Sequence, residues 1–122
     1  MTCSQLGCLL EIKRLSEKTP DVASVRLSKN LGLSKPSVYR LLRELKDMGF
    51  IQKEYYGEAS LTNDGNDLAE RMLGRVEVLI EKLEGCVVRR EHAYAAALVL
   101  LSSLREEEFS CFNEQMGESC LP

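Results

Sequence analysis

Residues 24–62 read SVRLSKNLGLSKPSVYRLLRELKDMGFIQKEYYGEASLT, and the punctuation of this stretch decides the fold. Ser24 stands where an N-cap would open a short helix, and Gly32 supplies the left-handed residue that ends it after Leu31. Ser34 then caps a second helix with Lys35 and Pro36 in its first turn. Proline is harmless there, because first-turn N–H groups have no acceptor within the helix. Val38, Leu41, Leu42 and Leu45 form one apolar stripe on this helix, which stops at Gly49. Two helices joined by Gly-Leu-Ser make a helix-turn-helix. Phe50–Tyr56 follows as a strand, Gly57-Glu58 as a tight turn, and Ala59–Thr62 as the returning strand. A hairpin directly after the second helix of the motif is a wing.

Working outward, Leu6, Leu9, Leu10, Ile12 and Leu15 recur at helical spacing and predict a first helix over Ser4–Lys18. It must stop before Thr19-Pro20-Asp21, because proline disfavours helix in the residue before it. Downstream, Thr62-Asn63-Asp64-Gly65 opens a long helix with Leu68, Met72, Val76, Leu79, Ile80 and Leu83 on one face, closed by Gly85. A last helix spans Arg90 to Arg105 with Tyr94, Ala97, Leu98, Leu101 and Leu104 on its stripe. The predicted fold class is therefore mostly α. A winged helix-turn-helix domain (1–62) precedes a helical dimerisation region (63–105) and a solvated tail (106–122) carrying Glu106–Glu108, with Phe109 and Phe112 placed to dock. The last two helices carry more apolar surface than a chain of 122 residues covers alone, which points to a homodimer. The alternative is that both fold back over the winged domain.

Composition bounds the function. The longest apolar stretch, Ala93–Leu101, is too short for a bilayer span, and the charges around the first helix are in the wrong order for a secretory signal. A cytoplasmic protein without a membrane partner is expected. Five cysteines with no Cys-x-x-Cys pair then read as reduced thiols. Net charge is −3, which alone argues against nucleic acid, but its distribution argues the other way. From Arg26 to Tyr55 seven basic residues face three acidic ones, net +4, whereas residues 56–122 carry −7. A basic segment in an acidic chain suits a localised phosphate-binding face.

The second helix of the motif needs one face for packing and the other for base edges. With the leucine stripe inward, the wheel throws Ser37, Arg40 and Glu44 outward, flanked by Tyr39 and Arg43. Arg40 suits a bidentate contact to guanine, and Ser34 and Ser37 suit phosphate or base contacts at the helix N-terminus. Lys35 and Arg43 are placed for backbone phosphates, as are Lys53 and Tyr55 or Tyr56 beside the wing. Double-stranded DNA is the expected partner.

Three stretches, Leu15-Ser16-Glu17-Lys18, Leu31-Gly32-Leu33-Ser34-Lys35-Pro36-Ser37-Val38 and Leu61-Thr62-Asn63-Asp64-Gly65, resemble the diphtheria toxin repressor family of iron- or manganese-dependent repressors. The resemblance covers residues 8–84 and, more loosely, Glu91-His92. It implies a winged helix domain, a helical dimerisation domain and metal ions bound between them. Ser34, Pro36, Ser37, Tyr39 and Arg40 fall on the part of the family's recognition helix that enters the major groove. The metal positions depart from the pattern: Gly7, Leu10, Val76 and Val88 stand where ligands are usual, and only Glu91 and His92 match. One carboxylate and one imidazole cannot complete the six-ligand shell of Mn or Fe. A softer site for Mn, Fe or Zn would draw on Cys8, Cys86, Glu91 and His92.

Catalysis is not expected, since the single histidine has no nucleophile at a recognisable spacing and no phosphate-cradling glycine loop occurs. The leading expectation is a sequence-specific DNA-binding transcriptional regulator, in the sense of a repressor, acting as a homodimer that is metal-independent or atypically regulated. Two alternatives stand beside it: a metal-responsive repressor with a rebuilt Cys/Glu/His site, and a winged helix used for protein–protein assembly.

Overall fold

The structure is a computed structural model that describes residues 1–53, 58–84 and 89–108. Helix α1 (Cys3–Ser16), strand β1 (Val22–Ala23), helices α2 (Ser24–Leu31) and α3 (Lys35–Asp47), and strands β2 (Ile51–Lys53) and β3 (Glu58–Leu61) precede helices α4 (Asn63–Glu84) and α5 (Arg90–Ser103). The fold is a mostly helical winged helix-turn-helix. Two compact units make up the chain, one from Met1 to Leu73 and one beginning at Gly74, so their boundary lies inside α4. Among the described residues no helix is long and apolar enough to cross a membrane.

The first unit closes around α1. Leu6, Leu9, Leu10 and Ile12 are fully buried, together with Val22, Leu27, Val38, Leu42, Leu45, Ile51 and Ala59 from the surrounding elements. The stripes read from the sequence on α1 and α3 are thus the core faces. Helix α1 begins a turn-residue earlier than expected because Thr2 caps it: its Oγ1 accepts from the Gln5 N–H while the Gln5 side chain accepts from the Thr2 N–H.

One element was absent from the sequence reading. Val22 and Ala23 pair with Ala59 and Glu58, so the three-stranded antiparallel sheet runs β1-β3-β2. That strand also displaces the expected cap. Ala23 is the N-cap of α2 and offers no side-chain bond, and Ser24 is the first helical residue, buried rather than capping. A two-residue strand has too little alternation to show in sequence. Of the Phe50–Tyr56 reading, Ile51–Lys53 are strand and Phe50 lies just before it, while residues 54–57 lie outside the described residues. Glu58 pairs with Ala23 in β3 and is not a turn residue.

Thr62 is the hinge pin between wing and α4. Its Oγ1 donates to the Gly49 carbonyl at 2.7 Å and accepts from the Gly65 N–H at 3.0 Å, while its own N–H donates to the Phe50 carbonyl at 3.1 Å. Gly65 has to be glycine here, because a Cβ would meet the Phe50 carbonyl oxygen at 1.9 Å. Gly49 itself holds φ +85°, which ends α3 and turns the chain into β2. Lys13 ties α1 to the start of α4 by donating to Asn66 Oδ1 at 2.6 Å and pairing with Glu70 at 3.3 Å.

In the second unit the buried side chains are Val76 and Leu79 of α4 and Ala93, Ala97, Leu98 and Leu101 of α5. Of the expected α5 stripe, Ala97, Leu98 and Leu101 are buried and Leu104 is half-buried, but Ala93 is buried where Tyr94 was expected, and Tyr94 is exposed. This helix is apolar almost all the way round, so periodicity does not decide between neighbours such as Ala93 and Tyr94. The run Glu106–Glu108 is exposed as expected, yet Glu106 is not idle: both oxygens accept from the Arg75 guanidinium, at 3.1 and 2.5 Å. Gly85 and residues 109–122, including Phe109 and Phe112, lie outside the described residues.

Candidate nucleic-acid interface

The outer face of α3 is the candidate site, and its geometry follows from how the inner face is held. Val38, Leu41, Leu42 and Leu45 are buried, which fixes the rotation of the helix about its axis. Tyr39, Arg40 and Arg43 are consequently exposed, and Ser37 is half-buried. At the N-terminus the Ser34 hydroxyl accepts from the Ser37 N–H at 3.3 Å and donates to the Ser37 hydroxyl at 2.9 Å. This cap leaves Lys35 and Pro36 exposed in the first turn, where the positive end of the helix dipole favours anions. Upstream, Arg26 and Lys29 are exposed on α2 and add to the same basic segment.

The wing strand contributes Lys53, whose ammonium sits 4.2 Å from the centre of the Tyr39 ring. Such a cation–π contact is worth about 0.5–1 kcal/mol at an exposed site. It draws β2 and α3 into one continuous surface, a link the sequence did not disclose. Tyr55 and Tyr56, read as wing contacts, lie outside the described residues.

Glu44 departs from the helical-wheel reading. It is half-buried, not thrown freely outward, because the Gln5 side-chain amide donates to its Oε2 at 2.7 Å. Its other oxygen lies 3.8 Å from Arg40 Nε. Gln5 was missed as a functional candidate. The Thr2-x-x-Gln5 capping pattern was available in the sequence, but the partnership with a residue 39 positions away was not.

The metal candidates fall in different surroundings. Cys8 is fully buried in the first unit, and burial, reinforced by the charge of Glu11, pushes its thiol up to about 12. A thiolate ligand is disfavoured there. Glu91 and His92 are exposed on the first turn of α5, and Cys86 lies outside the described residues. Among the described residues no group of three or more His, Cys, Asp or Glu side chains is placed to hold a metal ion.

Residues 12–54, about a third of the chain, match the family model described as the IclR helix-turn-helix domain. No curated protein matches the chain. Among solved structures, a hypothetical protein from Sulfolobus solfataricus aligns at TM-score 0.72 and 19% identity, covering 97% of this chain and 91% of that one. IdeR of T. acidophilum aligns at TM-score 0.67 and 22% identity, and the manganese regulator SloR at 0.77 and 16%, covering 92% and 93% of this chain. The chain spans about half the length of these two regulators, 53% in each case. At such identities the likeness is one of fold. What the family match and the structural neighbours share is a winged helix-turn-helix of the kind carried by transcriptional regulators.

Proposed function

We propose that this chain is a sequence-specific DNA-binding transcriptional regulator, not an enzyme, which acts in the cytoplasm as a homodimer and, by the family its residues resemble, as a repressor. The observation that carries the reading is the two-sidedness of α3: four apolar residues wholly committed to the core and, opposite them, Ser34, Lys35, Ser37, Arg40 and Arg43 presented together. In this reading α3 lies in the major groove. Arg40 reads a base edge, Ser34, Lys35 and Arg43 hold phosphates, and Pro36, Ser37 and Tyr39 line the contact. Lys53 extends the phosphate contact beyond the groove, a role the sequence reading also gives to Tyr56. The homodimer is supported by α5, which exposes Tyr94 and Val99 on a helix that is apolar nearly all round. A second copy of the same helix is the natural cover for such a surface.

The reading assigns no metal a part in DNA binding. Its support is the chemistry of the donors: Cys8 is held protonated in the core, and Glu91 and His92 stand without a third described ligand beside them. Both points are tested by fluorescence anisotropy on duplex DNA from upstream of the protein's own gene, with a chelator and then with added Mn, Fe or Zn. Specific binding that survives the chelator supports the reading, and binding that appears only with metal returns Cys8, Cys86, Glu91 and His92 to candidacy. Arg40→Ala is expected to relax sequence preference by about 1–3 kcal/mol. Lys35→Ala should weaken all sequences alike and lower the salt slope by about one. Binding that is indifferent to salt would favour a protein partner in place of DNA.

A further inference from the structure

Resting on the DNA-binding reading of α3, we infer that Gln5 is a positioning residue for base recognition: through Glu44 it sets the guanidinium of Arg40. The three residues form a relay from the N-terminus of α1 to the outer face of α3. Thr2 N–H donates to Gln5 Oε1 at 3.0 Å, Gln5 Nε2 donates to Glu44 Oε2 at 2.7 Å, and Glu44 Oε1 lies 3.8 Å from Arg40 Nε.

The orientation of the Gln5 amide is dictated by its neighbours. Turned over, it would set its NH2 against the Thr2 N–H and its oxygen against a carboxylate, losing both bonds. The capping box therefore does two jobs: it starts α1 and aims the amide donor at α3. Gln5 engages Glu44 Oε2, and the oxygen nearest Arg40 is Oε1, which faces Nε. The guanidinium is steered by its Nε edge, and the two terminal amines have no other ion pair among the described residues. Those amines are the pair that a bidentate guanine contact uses.

Released from Gln5, the Glu44 carboxylate has two harmful options. It can swing fully onto Arg40 and take the terminal amines in a fork-to-fork pair, or it can extend toward the phosphates and repel them. Either way the reading arginine loses its presented geometry. The arginine side chain is 64% exposed and that of Glu44 38%, so their attraction is a weak bias on the guanidinium, and it has a fixed direction only while the carboxylate itself is held. The firm anchor is the 2.7 Å bond to Gln5. A residue outside the recognition helix thus governs what that helix reads.

The test begins with selection of preferred sites from a random duplex pool by the full chain. Anisotropy follows on the selected site and on a copy altered at the base pair that Arg40→Ala ceases to distinguish. Gln5→Leu is expected to lower the preference between the two by about fivefold, while affinity for unrelated DNA changes less than twofold. In an Arg40→Ala background Gln5→Leu should add nothing to the loss of preference, which a merely structural role would not produce. Gln5→Glu keeps the capping box but sets a second carboxylate against Glu44, so it should lose preference at least as strongly with α1 intact. An undiminished preference in both Gln5 variants, an equal loss on all sequences, or losses that add to that of Arg40→Ala would each overturn the inference. If the unaltered chain enriches no sequence at all, it is the DNA-binding reading that fails, and the inference with it.

Discussion

Helices α3 and α5 are nearly equal in length, 13 and 14 residues, and are patterned in opposite ways. On α3 the apolar core residues keep to one stripe, and the rest carries Lys35, Arg40, Arg43 and Lys46 against Glu44 and Asp47, with Pro36, Ser37 and Tyr39. On α5 every residue from Ala93 to Leu101 is apolar or aromatic, and Val99 remains 54% exposed. The difference teaches what each second face is for. A helix with a charged outer face is soluble as it stands and invites a polyanion. A helix with an apolar outer face is in debt to water until something apolar covers it. On the proposed reading, the exposed face of α3 serves DNA and that of α5 serves assembly.

The sharpest way to break this comparison is to substitute one residue on each helix. Leu42→Ala removes a fully buried side chain from the first unit's core and should cost about 3 kcal/mol in urea unfolding, through lost burial plus the cavity left behind. Val99→Asp, at an exposed position, should change the unfolding free energy of dilute, dissociated chains by about 0.5 kcal/mol or less. Its effect belongs to association: the dimer dissociation constant in sedimentation equilibrium should rise tenfold or more. A large unfolding cost for the monomer, with association unchanged, would mean that Val99 serves its own chain's core and that the contrast between the helices is wrong.

The same contrast explains how much was legible in the sequence. The α3 stripe and the Gly32 and Gly49 stops could be read because amphipathic periodicity and glycine punctuation are local signals, and all were found where they were expected. On α5 the helix and most of its inner face, Ala97, Leu98 and Leu101, were legible, but with apolar residues all round the edge of that face was not: Tyr94 is exposed and Ala93 buried. Strand β1 was invisible because its two residues are extended only through pairing with β3. Ser24 was misread as a cap for the same reason, since the strand brings Ala23 to the helix start. At the candidate site, Arg40, Arg43 and Ser34 could be placed from the wheel. The turning of Glu44 toward Gln5, and of Lys53 over Tyr39, depends on contacts between elements that no local pattern encodes.

A second measurement sharpens the picture of the first unit as a closed core. The Cys8 thiol is held protonated to about pH 12 by burial and by Glu11, against an ordinary value of 9.0. Between those two values the unfolded chain releases this proton and the folded chain keeps it, so stability falls as pH rises. The unfolding free energy of the native chain, measured relative to Cys8→Ala, should therefore decline by about 3 kcal/mol from pH 8 to pH 11. The comparison with Cys8→Ala removes the titration of lysines and tyrosines common to both. A pH-independent difference would show that water reaches α1's inner face.

The smallest effect falls on the boundary between the two faces of α3. Ser34 Oγ accepts the Ser37 N–H and donates to the Ser37 hydroxyl, so it belongs to the fold and to the proposed contact surface at once. Ser34→Ala should cost about 1 kcal/mol of stability, the usual worth of an N-cap oxygen. Ser34→Asp restores the cap oxygen, and its negative charge is welcome at the helix N-terminus. Stability should therefore return in that variant. DNA affinity should not, because the same carboxylate would stand where a phosphate is expected and repel it. Stability rescued by aspartate with binding still weakened separates the two roles of one hydroxyl. Binding rescued together with stability would confine Ser34 to the helix cap, and the proposed phosphate contact would pass to Lys35 and Arg43.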